Sequence, residues 1–146
     1  MMVYAKAVVV LSLLGTLNAL YLTLHFVQNT WGTAVKSFCD LSEQASCSAV
    51  IVSPFALFLG VPVCTVALMV YPVLVVLGVM ALRKPRTRDL FFVASVLAGM
   101  GLMLNSVYVY NEFAHIHAYC PLCIVCTFLI AGVLYSAVRG YFASVQ

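Results

Sequence analysis

Charged side chains are scarce in this chain: of 146 residues, seven are Lys or Arg and four are Asp or Glu, 8% in all. A soluble domain carries about 25% charged residues, so there is too little charge here to cover a surface facing water. The basic residues are also too few for a nucleic-acid footprint, despite a net charge of +3. Disorder is excluded by the 65% hydrophobic content. No G-x-S-x-G, H-E-x-x-H or phosphate-binding loop is present, so hydrolytic and nucleotide chemistry lack their usual residues. There is no internal repeat, low-complexity tract or long linker, and the length supports one domain, 1–146. An integral membrane protein carrying six cysteines is the class left.

Crossing the hydrocarbon core as a helix takes about 20 apolar residues. Four uncharged stretches qualify: Ala7–Phe26, Phe55–Leu82, Leu90–Tyr110 and Pro121–Val138. The second is longer than needed and is expected to begin near Leu57, with Pro62 and Pro72 inside it. The spans are thus about 7–26, 57–82, 90–110 and 121–138, with an outer loop over 27–56. The first is read as a span and not a cleaved signal, because its apolar core exceeds the usual 7–15 residues. The fold class is therefore all-α, a four-transmembrane-helix bundle with an outer cap loop. Within that loop Gln44–Val52 is expected to form a short interfacial helix, capped by Ser42 or Ser46 and ended by Pro54. Ala94, Ala98 and Gly101, with Ser95 and Gly99 beside them, offer a close-packing face on the third span.

Residues Arg83, Lys84, Arg86 and Arg88 sit in the tight loop between the second and third spans. The positive-inside rule places that loop in the cytoplasm. Four spans then put both termini, with Lys6 and Arg139, on the same side. Lys36, Asp40, Glu43 and Glu112 fall outside. The positive net charge is an orientation signal.

That orientation puts Cys39, Cys47, Cys120 and Cys123 at or beyond the outer face, where disulfides form and persist, and leaves Cys64 and Cys126 within the spans as buried small hydrophobes. Four cysteines allow three pairings, and two permanent bridges stapling the loops are one reading. A C-x-x-C whose proline is the first helical residue supports a redox reading. It sets Cys120 at or near a helix N-cap, where unpaired amides and the helix dipole favour a thiolate. His115 and His117 with Cys120 and Cys123 also offer a tetrahedral zinc set, though two histidines one residue apart at a helix start are equally read as solvated interfacial side chains. His25, near the outer end of the first span, is expected at the interface or packed on a neighbouring helix. Two dithiol pairs on one face suit an electron relay between a soluble protein and a lipid-soluble oxidant.

Several segments carry a family resemblance: Phe38-Cys39-Asp40-Leu41, Ser46-Cys47-Ser48-Ala49-Val50, Ser53-Pro54-Phe55, Phe58-Leu59-Gly60-Val61-Pro62 and Cys120-Pro121-Leu122-Cys123. In this order, loop pair first and C-x-x-C last, the chain resembles the vitamin K epoxide reductase family from the first span through the fourth. Membrane thiol oxidases of the DsbB type place their C-x-x-C first and are functional analogues. The resemblance implies a four-helix bundle around a quinone of the ubiquinone, menaquinone or vitamin K type. It implies that Cys39 receives electrons from a thioredoxin-like (DsbA-like) partner outside the cytoplasm, that Cys47 exchanges with Cys120, and that Cys123 faces the quinone. Asp40 matches the acidic neighbour of the first loop cysteine. Ser53 matches the family's serine after the loop cysteines, although capping of the Pro54 turn is the preferred reading of that residue. Ile51, Phe55 and Ile116 sit where the family has quinone-facing apolar residues, and ordinary packing accounts for them equally well.

Two departures bear on the substrate. Cys126-Thr127-Phe128 stands where members that reduce vitamin K epoxide carry threonine, tyrosine and alanine, and Pro54–Pro62 offers no counterpart of their quinone-side asparagine. The Phe-Leu-Gly-Val-Pro stretch is similar to the prokaryotic branch. The expectation is therefore a quinone-dependent thiol-disulfide oxidoreductase in a prokaryotic cell membrane, without a fused thioredoxin-like domain and acting on a separate partner. Vitamin K epoxide reduction is the alternative activity, and a structural or zinc-binding four-span protein the alternative class.

Overall fold

The computed structural model describes residues 1–32, 36–83 and 87–145. Residues 33–35 of the cap loop and 84–86 of the basic loop lie outside the described residues, so the charge cluster read as an orientation signal is described only in part. The elements run α1 (Met2–Thr30), α2 (Cys47–Ile51), a 3-10 turn (Pro54–Ala56), β1 (Leu57–Phe58), β2 (Val61–Pro62), α3 (Val63–Arg83), α4 (Arg88–Asn111), a π-helical turn (Glu112–Ile116) and α5 (Pro121–Ala143). The four long helices are long and apolar enough to cross a membrane, and the molecule is an all-α four-span bundle. The shortest, α3, has 21 residues and extends about 31 Å, which matches a hydrocarbon core of about 30 Å.

In hydrocarbon every backbone N–H and C=O must be satisfied within the segment, which makes helices the available solution for these runs. The outward faces stay apolar: Leu17, Met103 and Phe128 are among the exposed side chains. A helix apolar all round is suited to lipid and not to water. The inward faces are built from small residues instead. On α1 the buried positions are Ala5, Val8, Ser12, Gly15, Ala19, Leu22 and His25, an alternation of three and four that keeps to one face. This face lies against α3 and α5, while α4 closes the ring between them. Ala94 and Ala98 are buried on α4 as its small-residue face requires.

The closest fit is at Gly15, where a Cβ would stand 2.2 Å from the Tyr71 ring. Tyr71 is itself buried and donates its hydroxyl to the Cys126 carbonyl at 3.2 Å. Without a hydrophobic force between helices in lipid, such close approach is a main source of association.

Two expectations are corrected. The second span starts at Val63 and not near Leu57, and Pro62 lies outside it. Leu57 and Phe58 pair instead with Pro62 and Val61 in an antiparallel hairpin. Its two-residue loop, Leu59–Gly60, has positive φ at both positions, 52° and 84°, the backbone that tight hairpins need and that glycine adopts without strain. Turn chemistry outweighs hydropathy there. The cap helix is Cys47–Ile51, shorter than Gln44–Val52, and Ser46 is its N-cap, accepting from the Ala49 amide. Gln44 and Ala45 are excluded because their backbone pairs with Tyr119. Glu112, which the orientation puts on the outer side, is carried into the protein by the π-helical turn and is 2% exposed.

Gly15→Ala should lower stability by about 1–3 kcal/mol through overpacking against Tyr71. Gly99→Ala, with nothing within 4 Å of the added methyl, should be neutral or stabilising by up to about 1 kcal/mol. Thermal unfolding in detergent micelles checks both.

Candidate active site

The cap loop is organised by one carboxylate. Asp40 accepts hydrogen bonds from the Ser37 amide at 2.9 Å, the Ser46 hydroxyl at 2.8 Å, the Ser48 amide at 3.0 Å and the Ser48 hydroxyl. Burial works against its charged form, but the bonds from Ser48, Ser46 and Ser37 outweigh it and hold the Asp40 carboxyl well below the usual carboxylate range. Ser48 also bonds to buried His25 at 2.9 Å. Tyr21 bonds to Ser37 at 2.8 Å. Both rings stand on α1, so the loop is fastened to the end of the bundle and His25 is a packed residue there.

This fastening positions the first cysteine pair. Cys39 and Cys47 form a disulfide with Cα atoms 5.8 Å apart. The Ser37 hydroxyl lies 3.0 Å from the Cys39 sulfur. Two backbone bonds then bring in the second pair: the Tyr119 amide donates to the Gln44 carbonyl at 2.8 Å, and the Ser46 amide to the Tyr119 carbonyl at 3.2 Å. The next residue, Cys120, occupies the N-cap of α5 with Pro121 at its first turn. Its sulfur lies 2.9 Å from that of Cys47. Cys39, Cys47 and Cys120 have their sulfurs within 4.8 Å of one another. Thiol–disulfide exchange requires a free thiol beside a disulfide sulfur, and this cluster supplies it.

Cys120 and Cys123 are free thiols. The Cys120 amide donates to the Glu112 carboxylate at 2.9 Å, and that carboxylate also touches the Cys123 thiol. Cys123 faces an apolar cleft of about 20 Å³, room for roughly one water. Ile51, Phe55 and Ile116 line the same cleft with Cys123, so four residues distant in sequence are brought together. Ser53 is not among the lining residues. Its hydroxyl is buried without a partner and caps nothing, which corrects the capping expectation. The 3-10 turn starts from extended backbone at Ser53 (φ −72°, ψ 147°), as a residue preceding proline favours.

Among the lining residues that sequence reasoning missed, three carry polar or titratable side chains: Cys64, Tyr108 and Glu112. Cys64 is buried as expected, yet it also forms part of this wall. Glu112 had a signal, since an ionisable residue at a membrane helix end is functional by default. Cys64 and Tyr108 had none. The proposed zinc ligands take other roles: His115 stacks on Phe55 at 5.1 Å, and His117 takes a left-handed backbone (φ 54°) at the end of the π-helical turn. Among the described residues, the group close enough to share an ion is the three-sulfur cluster, and two of its sulfurs are consumed by the disulfide.

A disulfide with a free thiol against it, at one end of a four-span bundle, defines a redox-active cysteine oxidoreductase of the membrane. The family model for the vitamin K epoxide reductase family matches residues 6–138, and the chain belongs to that family. No curated protein matches it.

Because the native-state value of Asp40 lies below its ordinary one, its contribution to stability is complete above about pH 4 and fades as the pH falls further. Asp40→Asn should cost about 1–2 kcal/mol at neutral pH, discounted for partial exposure. The gap between variant and parent should begin to narrow below about pH 4 and shrink further as the pH falls. Melting temperatures of both proteins between pH 7 and 3 read this directly.

Proposed function

We propose that the protein is a quinone-dependent thiol-disulfide oxidoreductase that supports disulfide bond formation. It takes two electrons from a thioredoxin-like, DsbA-like dithiol and delivers them to a bilayer quinone of the ubiquinone, menaquinone or vitamin K type. The observation that carries this reading is the 2.9 Å approach of the Cys120 sulfur to Cys47 of the Cys39–Cys47 disulfide.

The partner thiolate attacks Cys39, and resolution of the mixed disulfide leaves the partner oxidised and Cys39 and Cys47 as thiols. Cys47 then attacks Cys120 of an oxidised Cys120–Cys123 pair, releasing Cys123 as a thiol. Cys39 attacks Cys47, the Cys47–Cys120 bond breaks, and the loop disulfide re-forms beside two free thiols. A Cys39–Cys47 disulfide with free Cys120 and Cys123 is the state that this exchange leaves. From there Cys120 and Cys123 give up two electrons and two protons to the quinone as their own disulfide closes.

The surroundings suit these roles. Cys39 is 3% exposed, but its neighbours Phe38 and Leu41 are exposed apolar side chains that a partner can grip. Displacement of the loop at that point uncovers the sulfur. Ile51, Phe55 and Ile116 give the cleft apolar walls, fitting a quinone ring, with Cys123 as electron donor. The cleft is narrow, and movement of the partly exposed Phe55 off His115 is the step that admits a ring. The family resemblance implies a pocket of Ile51, Ser53, Phe55, Ile116 and Cys123, and all of these but Ser53 line the cleft. The asymmetry of basic residues supports both termini cytoplasmic and the four cysteines on the outer side, and the resemblance of Phe58–Pro62 to the prokaryotic branch supports a prokaryotic inner membrane.

Purified protein, a reduced thioredoxin-like substrate and a set of quinones test the activity. Cys123→Ala should abolish quinone reduction, and normal turnover by that variant would sink the mechanism. The double variant Cys39→Ala, Cys123→Ala should accumulate a Cys47–Cys120 disulfide on mild oxidation, detected as the linked peptide by non-reducing mass spectrometry.

A further inference from the structure

Glu112 is a buried carboxylate that the electron relay does not use. Its Oε2 holds the Cys120 amide at 2.9 Å, and the same carboxylate touches the Cys123 thiol at the edge of the cleft. The titratable groups around it are Cys123 from α5, Cys120 at the N-cap of that helix, Cys64 from α3 and Tyr108 from α4, while α1 and α2 present only the apolar Leu22, Val50 and Ile51 to the cleft. None of the described lining residues is basic. A carboxylate and a thiol in contact, buried without a counter-cation, cannot both be ionised at modest cost, so they share protons as a pair. The partner that loses the proton is then the one engaged in chemistry.

We propose that Glu112 is a catalytic proton carrier, taking the proton of the Cys123 thiol as that sulfur becomes a nucleophile and passing it on to the reduced acceptor. The inference rests on the reading of Cys123 as the electron donor to a quinone. In the balanced reaction both S–H bonds break, the Cys120–Cys123 bond forms, and the acceptor gains two electrons and two protons as it becomes a hydroquinone. Glu112 carries a proton out of the thiol pair and ends the cycle in its starting state. A water-poor cleft leaves few other routes, and positioned acid–base groups typically contribute about 10²–10⁴ in rate. The competing role is a tether that holds the π-helical turn to the start of α5. Glu112→Gln separates the two, because its amide oxygen still accepts the Cys120 N–H but cannot carry the proton.

The experiment uses the full-length protein in detergent with Cys120→Ser, so that maleimide alkylation on the peptide carrying residue 123 reports Cys123 alone. With Glu112 present, the thiolate forms by internal transfer, and the alkylation rate should be nearly independent of pH between about 7.5 and 8.5. In Glu112→Gln the proton must go to solvent, and the rate should rise about tenfold per pH unit over the same range. In the background with all four cysteines, Glu112→Gln should slow quinone reduction at least about tenfold with little change in the KM for quinone, and Glu112→Asp should restore part of it. Identical alkylation profiles with and without the carboxylate would overturn the proposal, as would full quinone turnover by Glu112→Gln. Should Glu112→Gln fail to reach a native melting temperature, Glu112→Asp decides: an alkylation profile and turnover equal to those of Glu112 overturn the proposal, and a displaced profile with reduced turnover supports it. If the parent protein reduces no quinone while the alkylation profiles differ as described, the proton role stands and the quinone reading falls.

Discussion

The redox cluster depends on holding a loop disulfide against the N-cap residue of a membrane helix. Two backbone hydrogen bonds between Gln44–Ser46 and Tyr119 do this, and the sulfurs of Cys47 and Cys120 meet at 2.9 Å as a consequence. Exchange between sulfurs requires near-contact, and a loop free to wander would spend little of its time there. The Asp40 hub therefore matters for chemistry as well as stability. By gathering Ser37, Ser46 and Ser48 around one charge, it converts a flexible stretch into a seat for Cys39 and Cys47. His25 and Tyr21 then fasten that seat to α1.

The bundle beneath serves a different need. Lipid gives no reward for burying a leucine against another leucine, so contact area must come from close approach. Gly15 against Tyr71 and Gly140 against Phe91 are the tightest instances, each glycine leaving room for a ring. Their effect reaches the site through α5: Tyr71 bonds to the Cys126 carbonyl on the same helix whose first turn carries Cys120 and Cys123. Asn18 of α1 likewise donates to the Leu122 carbonyl at 3.1 Å. The thiol pair thus stands at the start of a packed helix, while the disulfide beside it stands on the cap loop.

Much of this architecture was legible from hydropathy and from the spacing of the cysteines. Long apolar runs have one viable backbone solution in lipid, so the number of spans followed directly. Boundaries were less secure where local chemistry competed with hydropathy. Leu57–Pro62 is apolar enough to extend a helix, but Gly60 and Pro62 favour a turn, and a hairpin results. The cap helix lost Gln44 and Ala45 because the Gln44 carbonyl accepts from the Tyr119 amide, far away in sequence, and the Ala45 carbonyl from the Leu41 and Ser42 amides. Ser53 was misjudged because a hydroxyl next to a proline turn has an obvious local use, whereas here it is buried without one.

By itself the sequence determined the class of molecule and its four spans, and it marked the four cysteines that the structure gathers at one end. Each of these is a property of a residue or a short run against a uniform solvent, whether lipid or water. Only the tertiary structure decided that Cys47 and Cys120, 73 residues apart, come into contact. It also decided that Glu112 turns inward to meet Cys120 and Cys123, and that Ile51, Phe55 and Ile116 close one cleft around Cys123. These outcomes depend on which backbone groups pair across the cap and on how closely small residues let helices approach, and both arise from relations between distant segments.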